Sequence, residues 1–539
     1  MSKNMVVHHT AVLDVAHVGD IHGAFGSISI DDTGMRTTWK ARLVTLLAIM
    51  GPGLIVMVGD NDAGGVATYA QAGQNFGTSL LWVLLLLVPV LIVNQEMVVR
   101  LGLVTGVGHA RLIFERFGKF WGIFSVGDLF LLNILTVITE FIGIVLSMQH
   151  FGVSPLISVT LAAFFLIAMT VTGSFRRWER LMYLMVLINL LVLPMMFLSH
   201  PTVMPLVKSL VPGIKGGLTS NALLLIVGMV GTTVAPWQLF FQQSNVIDKR
   251  LTPRWMAYER ADTIIGSFVV ILGAAAIIIC TAFAFQGTPL FGQFMDAGSV
   301  IRGLSAHVSK LSGDLFAIIL LNSSLIGAAA VTLSTSYAFG DVFGVKHSLH
   351  RSVKDGKGFY IAYTAVIVVA ALVVLIPHAP LGLITMAVQA LAGILLPSAT
   401  VFLLLLCNDV AVLGPWVNKT WVNVVAFIIV SVLVMLSLIL ATSTFFPTLS
   451  VWSLLEGSAA LLTVGLFVAA TIFLATLKTR SPREVPLGDK ASWRMPSLHS
   501  LGKPRWSLGQ KWGMLALRGY LVIAVVMLLV KVIQLTLHG

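Results

Sequence analysis

The chain has 539 residues, 57% hydrophobic and only 10% charged, with a formal net charge of +12 and a mean hydropathy of +0.95. A soluble domain carries about 25% charged residues, so this composition excludes an ordinary soluble protein and describes a polytopic membrane protein. The positive charge does not argue for nucleic acid, because the basic residues sit in short loops between apolar spans.

Residues 1–40 are polar and mixed. They contain His8, His9, His17 and His22 with Asp14 and Asp20. Composition predicts a disordered, solvated tail, with a metal-sensing tail as the alternative. No basic segment leads directly into an apolar core, so no cleavable signal peptide is expected. Apolar stretches of about 20 residues then predict spans near 43–76 (broken), 79–98, 121–149, 153–173, 181–199, 217–244 (broken), 261–285, 314–343, 359–377, 380–406, 421–446, 451–477 and 515–537. Arg100, Arg111, Arg116 and Lys119 follow the second span, Arg176, Arg177 and Arg180 the fourth. Lys249, Arg250, Arg254 and Arg260 follow the sixth, and Lys346, Arg351, Lys354 and Lys357 the eighth. These are alternate loops, which puts them all on the cytoplasmic side together with the N-terminus of a multi-pass cell-membrane protein. Cys280 and Cys407 lie in apolar spans, which argues against a disulfide framework or a cysteine zinc site.

The first span is interrupted by Gly59-Asp60-Asn61-Asp62-Ala63-Gly64-Gly65. A carboxylate at membrane depth costs about 2.5–3.5 kcal/mol on insertion scales, so two of them mark function by default. The glycines let the backbone unwind, and free carbonyls are tolerated only where they line a cavity or meet a ligand. The bland alternative is a kink whose acids face water at one end. The sixth span breaks at Gly228, Gly231, Thr232, Thr233, Val234, Ala235, Pro236 and Trp237. Pro236 has no N–H and clashes with the preceding turn. Broken first and sixth spans fit an all-α inverted repeat with an ion site between its halves. The expected units are a first five-helix half over 41–200, a second over 217–406, and peripheral helices eleven and twelve over 407–477. A basic linker over 478–513 and a final helix over 514–539 follow, giving about three extra C-terminal helices. The linker reads equally as solvated or as touching anionic lipid. Glu456 and Lys531 are expected to reach toward an interface.

At these residues the chain resembles the Nramp family of divalent-metal transporters. Gly51-Pro52-Gly53 with Asp62-Ala63-Gly64-Gly65-Val66-Ala67-Thr68 is similar to the first-helix Asp-Pro-Gly-Asn signature and its surroundings. Gly231-Thr232-Thr233-Val234-Ala235-Pro236-Trp237 resembles the sixth-helix Met-Pro-His segment, and Glu140-Phe141-Ile142-Gly143 a third-helix Glu-Val-Ile-Gly segment. Arg177 with Glu179, Phe316-Ala317-Ile318 and Asn408-Asp409 fit more loosely. The likeness spans roughly residues 40–445. The signature's Asp stands as Asp62, but its Asn is Gly65, its Pro is Ala63, its Met is Ala235 and its His is Trp237. A second family His corresponds to Gln242, and a third-helix Asp to Val137. Such losses resemble the Nramp-related magnesium transporter branch.

The resemblance implies a metal site at Asp62, Gly59, Gly65, Thr232 and Ala235, the backbone carbonyls of Gly59 and Thr232 included. Asp60, Asn61, Glu140, Trp237, Gln242 and Gln389 are expected nearby or in the vestibule. Ala235 removes a soft thioether and Gly65 an amide oxygen, leaving a larger, harder pocket. That suits Mg2+, which keeps several waters and uses one or two carboxylates. Trp237, Gln242 and Val137 cannot exchange protons near neutrality, so uptake without proton coupling is expected, with Glu140 the one acid left to relay. Mg2+ or Mn2+ enters as substrate rather than as a cofactor. The bilayer is the expected environment, with no nucleic acid and no obligatory protein partner. The alternatives are a proton-coupled Mn2+/Fe2+ transporter with an altered site, a coupled solute carrier on the same scaffold, and a non-transporting receptor or scaffold.

Overall fold

The computed structural model describes residues 15–214, 217–377, 380–445, 453–463, 490–491, 493–502 and 519. The first apolar stretch folds as three pieces: α1 (Trp39–Ile49), α2 (Pro52–Gly59) and α3 (Ala63–Phe76). The expected break between Gly59 and Gly65 is present. A second bend of 52° between α1 and α2 was not expected. Its cause is local. Gly51 adopts φ 153°, which favours glycine, and Pro52 opens α2 where its missing N–H is no loss. Asp262 then accepts hydrogen bonds from the N–H groups of Gly51, Gly53 and Leu54 at 2.9, 2.7 and 3.1 Å, capping the new helix start.

The first half continues through α4 (Leu81–Thr105), the short α5 (His109–Phe117), α6 (Lys119–His150), α7 (Pro155–Thr170), α8 (Phe175–Ile188) and α9 (Val192–Leu198). A 3-10 turn over Asn189–Leu191 joins the last two into one crossing. After α10 (Val203–Lys208), the second half opens with α11 (Ser220–Thr233) and α12 (Pro236–Asp248), separated only by Val234 and Ala235. Then come α13 (Met256–Phe285), α14 (Ala297–His307), α15 (Lys310–Phe343), α16 (Lys357–Val374) and α17 (Leu381–Cys407). The one-turn α18 (Val410–Leu413) and α19 (Thr420–Phe445) follow. Among the described residues nine helices are long and apolar enough to span a bilayer, and the bent α1–α2 pair makes a tenth. With the shorter apolar α7 they coincide with the first eleven expected spans. Of the twelfth, residues 453–463 are helical and Glu456 is exposed. The remainder of that span, the thirteenth span and Lys531 lie outside the described residues.

The inverted repeat accounts for the packing. The third helices of the two halves, α6 and α15, lie along each other at the centre, while α13 packs on α2 and α3, and α11 on α17. Close approach rests on small residues, the usual solution in lipid, where apolar side chains gain little by leaving the solvent. A Cβ on Gly231 would overlap the backbone of Gly393 on α17, and one on Gly266 would lie 3.0 Å from the Gly53 carbonyl. Leu86, Ile123, Phe164, Leu272 and Leu372 are exposed on the outward faces, forming a belt suited to lipid.

Two expectations for the termini are corrected. The solvated-tail reading fails over residues 15–28, while His8, His9 and Asp14 lie outside the described residues. A hairpin of β1 (Ile21–Gly23) and β2 (Gly26–Ile28) pairs antiparallel and buries Ile21, Ala24 and Ile28. His17 is also buried, 3.8 Å from the Asp248 carboxylate. The described part of the basic linker likewise docks on protein. Met495 N–H donates to the Val104 carbonyl at 3.2 Å, and the Trp416 indole donates to the Lys490 carbonyl at 2.8 Å.

Candidate metal centre at the paired helix breaks

Asp62 is the N-cap of α3 and is 2% exposed. Its Oδ1 accepts the Gly65 N–H at 2.6 Å, satisfying one of the amides orphaned where the helix begins. The Glu140 carboxyl from α6 accepts the Ala63 N–H at 3.0 Å through one oxygen, while its other oxygen is buried without a partner beside Asp62. Gly327 on α15 makes room for this pair, since a Cβ there would sit 2.7 Å from Asp62 Cβ and 2.8 Å from Glu140 Cδ.

Gly65 marks where oxygen atoms converge. The point its Cβ would occupy lies 2.5 Å from the Asp60 carbonyl oxygen, 3.0 Å from Thr232 Oγ1 and 3.4 Å from Asp62 Oδ1. The Thr232 hydroxyl, on the last turn of α11, is thus the group from the opposite break that comes closest. Gly59 ends α2 with its Cα facing the Trp237 ring, at 3.2 Å from the Cβ position to Cη2. Asp60 is fully buried, and neither carboxylate oxygen has a hydrogen-bond partner. Asn61 turns the other way and donates to the Val270 carbonyl at 3.1 Å. It lines a mostly apolar cavity of about 120 Å³ with Asn189, Gly273 and Ser323. Ala235 is the buried N-cap of α12 and brings no donor atom from its side chain. Trp237 is 1% exposed with an unpartnered indole N–H.

Gln389 and Gln242 separate. Gln389, on α17, lies over the first break so closely that a Cβ on Gly64 would overlap its amide. The Gln389 Nε2 is buried without a partner. Exchanging the amide's N and O atoms is a matter of assignment, and the exchange would turn an oxygen toward the break. Gln242 lies further along α12, donating to Thr263 Oγ1 at 3.1 Å and contacting Glu259. It faces the basic-loop end of the molecule rather than Asp62.

Sequence reasoning missed the approach to this centre. A cavity of about 300 Å³ opens at the end opposite the basic loops, lined by Thr68, Gln71, Asn75, Asn221 and Gln389 together with apolar side chains. None of its lining residues is charged. Thr68, Gln71 and Asn75 recur at helical spacing on α3, a polar stripe that periodicity alone marks as one face. The other end is closed. Lys249 Nζ donates to Glu179 at 2.5 Å and to the Met50 carbonyl at 2.8 Å, with both charged side chains fully buried. Asp248 accepts from Tyr337, Ser348 and the Leu349 N–H at 2.6, 2.5 and 2.8 Å. The hairpin covers these groups. Ala24 N–H donates to Glu179 at 2.5 Å, and Arg250 donates to the carbonyls of Ala16 and Asp20.

Two facing helix breaks inside an inverted repeat, a buried carboxylate between them and a vestibule open to one end define a membrane carrier fold. The chain belongs to the Nramp family: the profile described as "Natural resistance-associated macrophage protein-like" matches residues 53–443. It is 28% identical over 427 residues to the divalent metal cation transporter MntH of Latilactobacillus sakei, covering 75% of this chain and 90% of that one. It is 26% identical over 424 residues to MntH of Staphylococcus saprophyticus, covering 74% and 93%. Its fold is similar to that of the Eremococcus coleocola manganese transporter in complex with an aromatic bis-isothiourea substituted compound. That match has a TM-score of 0.61 at 22% identity and covers 84% of this chain and 98% of the other.

Proposed function

We propose that the protein carries divalent metal ions across the cell membrane by alternating access. The main substrate in this reading is Mg2+ in partly hydrated form, moved without obligatory proton coupling. The observation that carries the reading is Asp62 buried in a helix break with oxygen atoms close by: the Asp60 carbonyl, the Thr232 hydroxyl and the Glu140 carboxyl. Oxygen donors of these kinds suit a hard cation. Magnesium prefers oxygen at about 2.0–2.1 Å and dehydrates reluctantly, and an uncharged, amide-lined vestibule accepts an ion with its water shell intact. The membrane potential supplies about 2.3 kcal/mol per charge per 100 mV, hence twice that for a divalent cation, so inward movement needs no second ion. The shared side of the basic loops and the docked N-terminal hairpin supports a cytoplasmic N-terminus.

The test is uptake into proteoliposomes. Asp62→Ala is expected to abolish Mg2+ uptake while the protein stays monodisperse, and near-normal uptake would remove Asp62 from the site. Excess Mg2+ against trace Mn2+ then separates a magnesium carrier from a manganese carrier.

A second reading, transport coupled to protons, is favoured by Glu140, a second fully buried carboxyl beside Asp62 with one oxygen unpartnered. A pH-sensitive dye inside clamped vesicles decides between the two. Uniport gives metal uptake with no lumenal acidification. Acidification that disappears in Glu140→Gln establishes coupling.

A further inference from the structure

Most hydroxyl side chains in these helices are spoken for, Thr332 on α15 being an exception besides the one described below. Thr68 bonds back to the Gly64 carbonyl at 2.7 Å, Thr281 to Ile277 at 2.9 Å and Ser336 to Thr332 at 2.9 Å. This is the usual way a threonine or serine in an apolar helix satisfies its donor. Thr233 does the same with Met229 at 2.6 Å and also meets the Tyr69 hydroxyl at 2.7 Å. Its neighbour Thr232 does not. Thr232 is 1% exposed, and its Oγ1 has no hydrogen-bond partner. Leaving a buried hydroxyl unpaired costs about 1–3 kcal/mol, a penalty a purely structural threonine would relieve by turning to its own helix.

The hydroxyl lies instead against Gly65. There Thr232 Oγ1, the Asp60 carbonyl and Asp62 Oδ1 all lie within 3.4 Å of one point. A hydroxyl, a carbonyl and a carboxylate form a hard-ligand set. The absence of a side chain at Gly65 lets these oxygens approach one another. Ala235 at the other edge of the same break offers no competing atom.

We propose that the Thr232 side chain is a specificity-determining ligand, whose hydroxyl oxygen contacts the transported ion or a water in its inner shell and favours Mg2+ over Mn2+. This rests on the reading of Asp62 as the ion's charged ligand. The role belongs to the side chain and is separate from any contribution of the Thr232 backbone carbonyl.

Thr232→Val keeps the branched shape and removes the oxygen, Thr232→Ala removes both, and Thr232→Ser keeps the oxygen. Uptake into proteoliposomes gives KM and kcat for Mg2+ and the competition ratio against Mn2+. Thr232→Val and Thr232→Ala are expected to raise the Mg2+ KM by about tenfold, with a smaller change in kcat and a shift of preference toward Mn2+. Thr232→Ser should behave as the parent. A merely structural threonine would not move the second readout, thermal melting with and without Mg2+. Since no hydrogen bond is lost, the metal-free melting temperature should hold or rise in Thr232→Val, while the stabilisation added by Mg2+ shrinks. Parental KM and metal preference in the Val and Ala variants overturn the proposal. So does failure of both to fold, which would show that the hydroxyl has a structural partner. Asp62→Ala run alongside separates the two ideas: if Asp62→Ala is inactive and Thr232→Val is unchanged, the site reading stands and only the role of Thr232 falls.

Discussion

Single side chains decide what this centre can hold. Ala235 stands at the opposite break, and adding a thioether there introduces a soft donor beside a hard set. Ala235→Met is expected to shift preference toward Mn2+ or Cd2+, read by competition against Mg2+ uptake. An unchanged preference in a folded variant would place selectivity elsewhere. Gly65 is different, because a Cβ would come within 2.5 Å of the Asp60 carbonyl. Gly65→Asn is therefore expected to cost about 1–3 kcal/mol through overpacking and to lower the melting temperature before it adds a ligand. Asp62 was legible in the sequence because an acid inside an apolar run has few bland explanations. The free hydroxyl of Thr232 and the clearance at Gly327 were not. A rotamer's partner, and the gap left by a missing side chain on a distant helix, exist only once α3, α6, α11 and α15 are assembled. Gln242 misled for a related reason: its place along α12 sets it more than a helical turn from the break, and linear similarity does not measure that.

At the scale of elements, the two helix breaks were readable because proline and glycine interrupt a hydrophobic run in a way that sterics forces. The bend at Gly51-Pro52 was hidden because it depends on Asp262, far along the chain, to receive the exposed amides. Asp262→Asn keeps the shape but weakens charge-assisted bonds to three N–H groups. It is expected to cost about 1–3 kcal/mol, seen as a lower melting temperature and faster hydrogen exchange at the start of α2. The N-terminal hairpin escaped notice because three-residue strands carry too short a pattern to register. Its fit on α1 is tight: a Cβ on Gly23 would overlap the Ala48 carbonyl. Gly23→Val is expected to lift the hairpin off α1 without touching the metal centre. Limited proteolysis is the measurement, and a cleavage between residues 15 and 34 that is absent in the parent is the result expected.

The whole molecule is unsymmetrical from end to end. On one side an uncharged cavity of about 300 Å³ extends inward as far as Thr68, Gly228 and Gln389. On the other, the buried Lys249–Glu179 pair, the Asp248 bonds and the hairpin stand between the centre and the basic loops. The consequence is kinetic. Loading from the vestibule is a diffusive step with a shallow temperature coefficient. Opening the far end must break several buried polar contacts together, and separating a buried ion pair is strongly unfavourable. Conformational steps of this kind commonly limit turnover. The rate of Mg2+ entry into vesicles should therefore rise steeply with temperature, while the Mg2+ affinity measured by calorimetry changes little over the same range. Gly23→Val, which removes part of the far seal, should flatten the Eyring slope and leave that affinity alone. An unchanged slope would mean that the barrier to turnover lies within the helix breaks themselves.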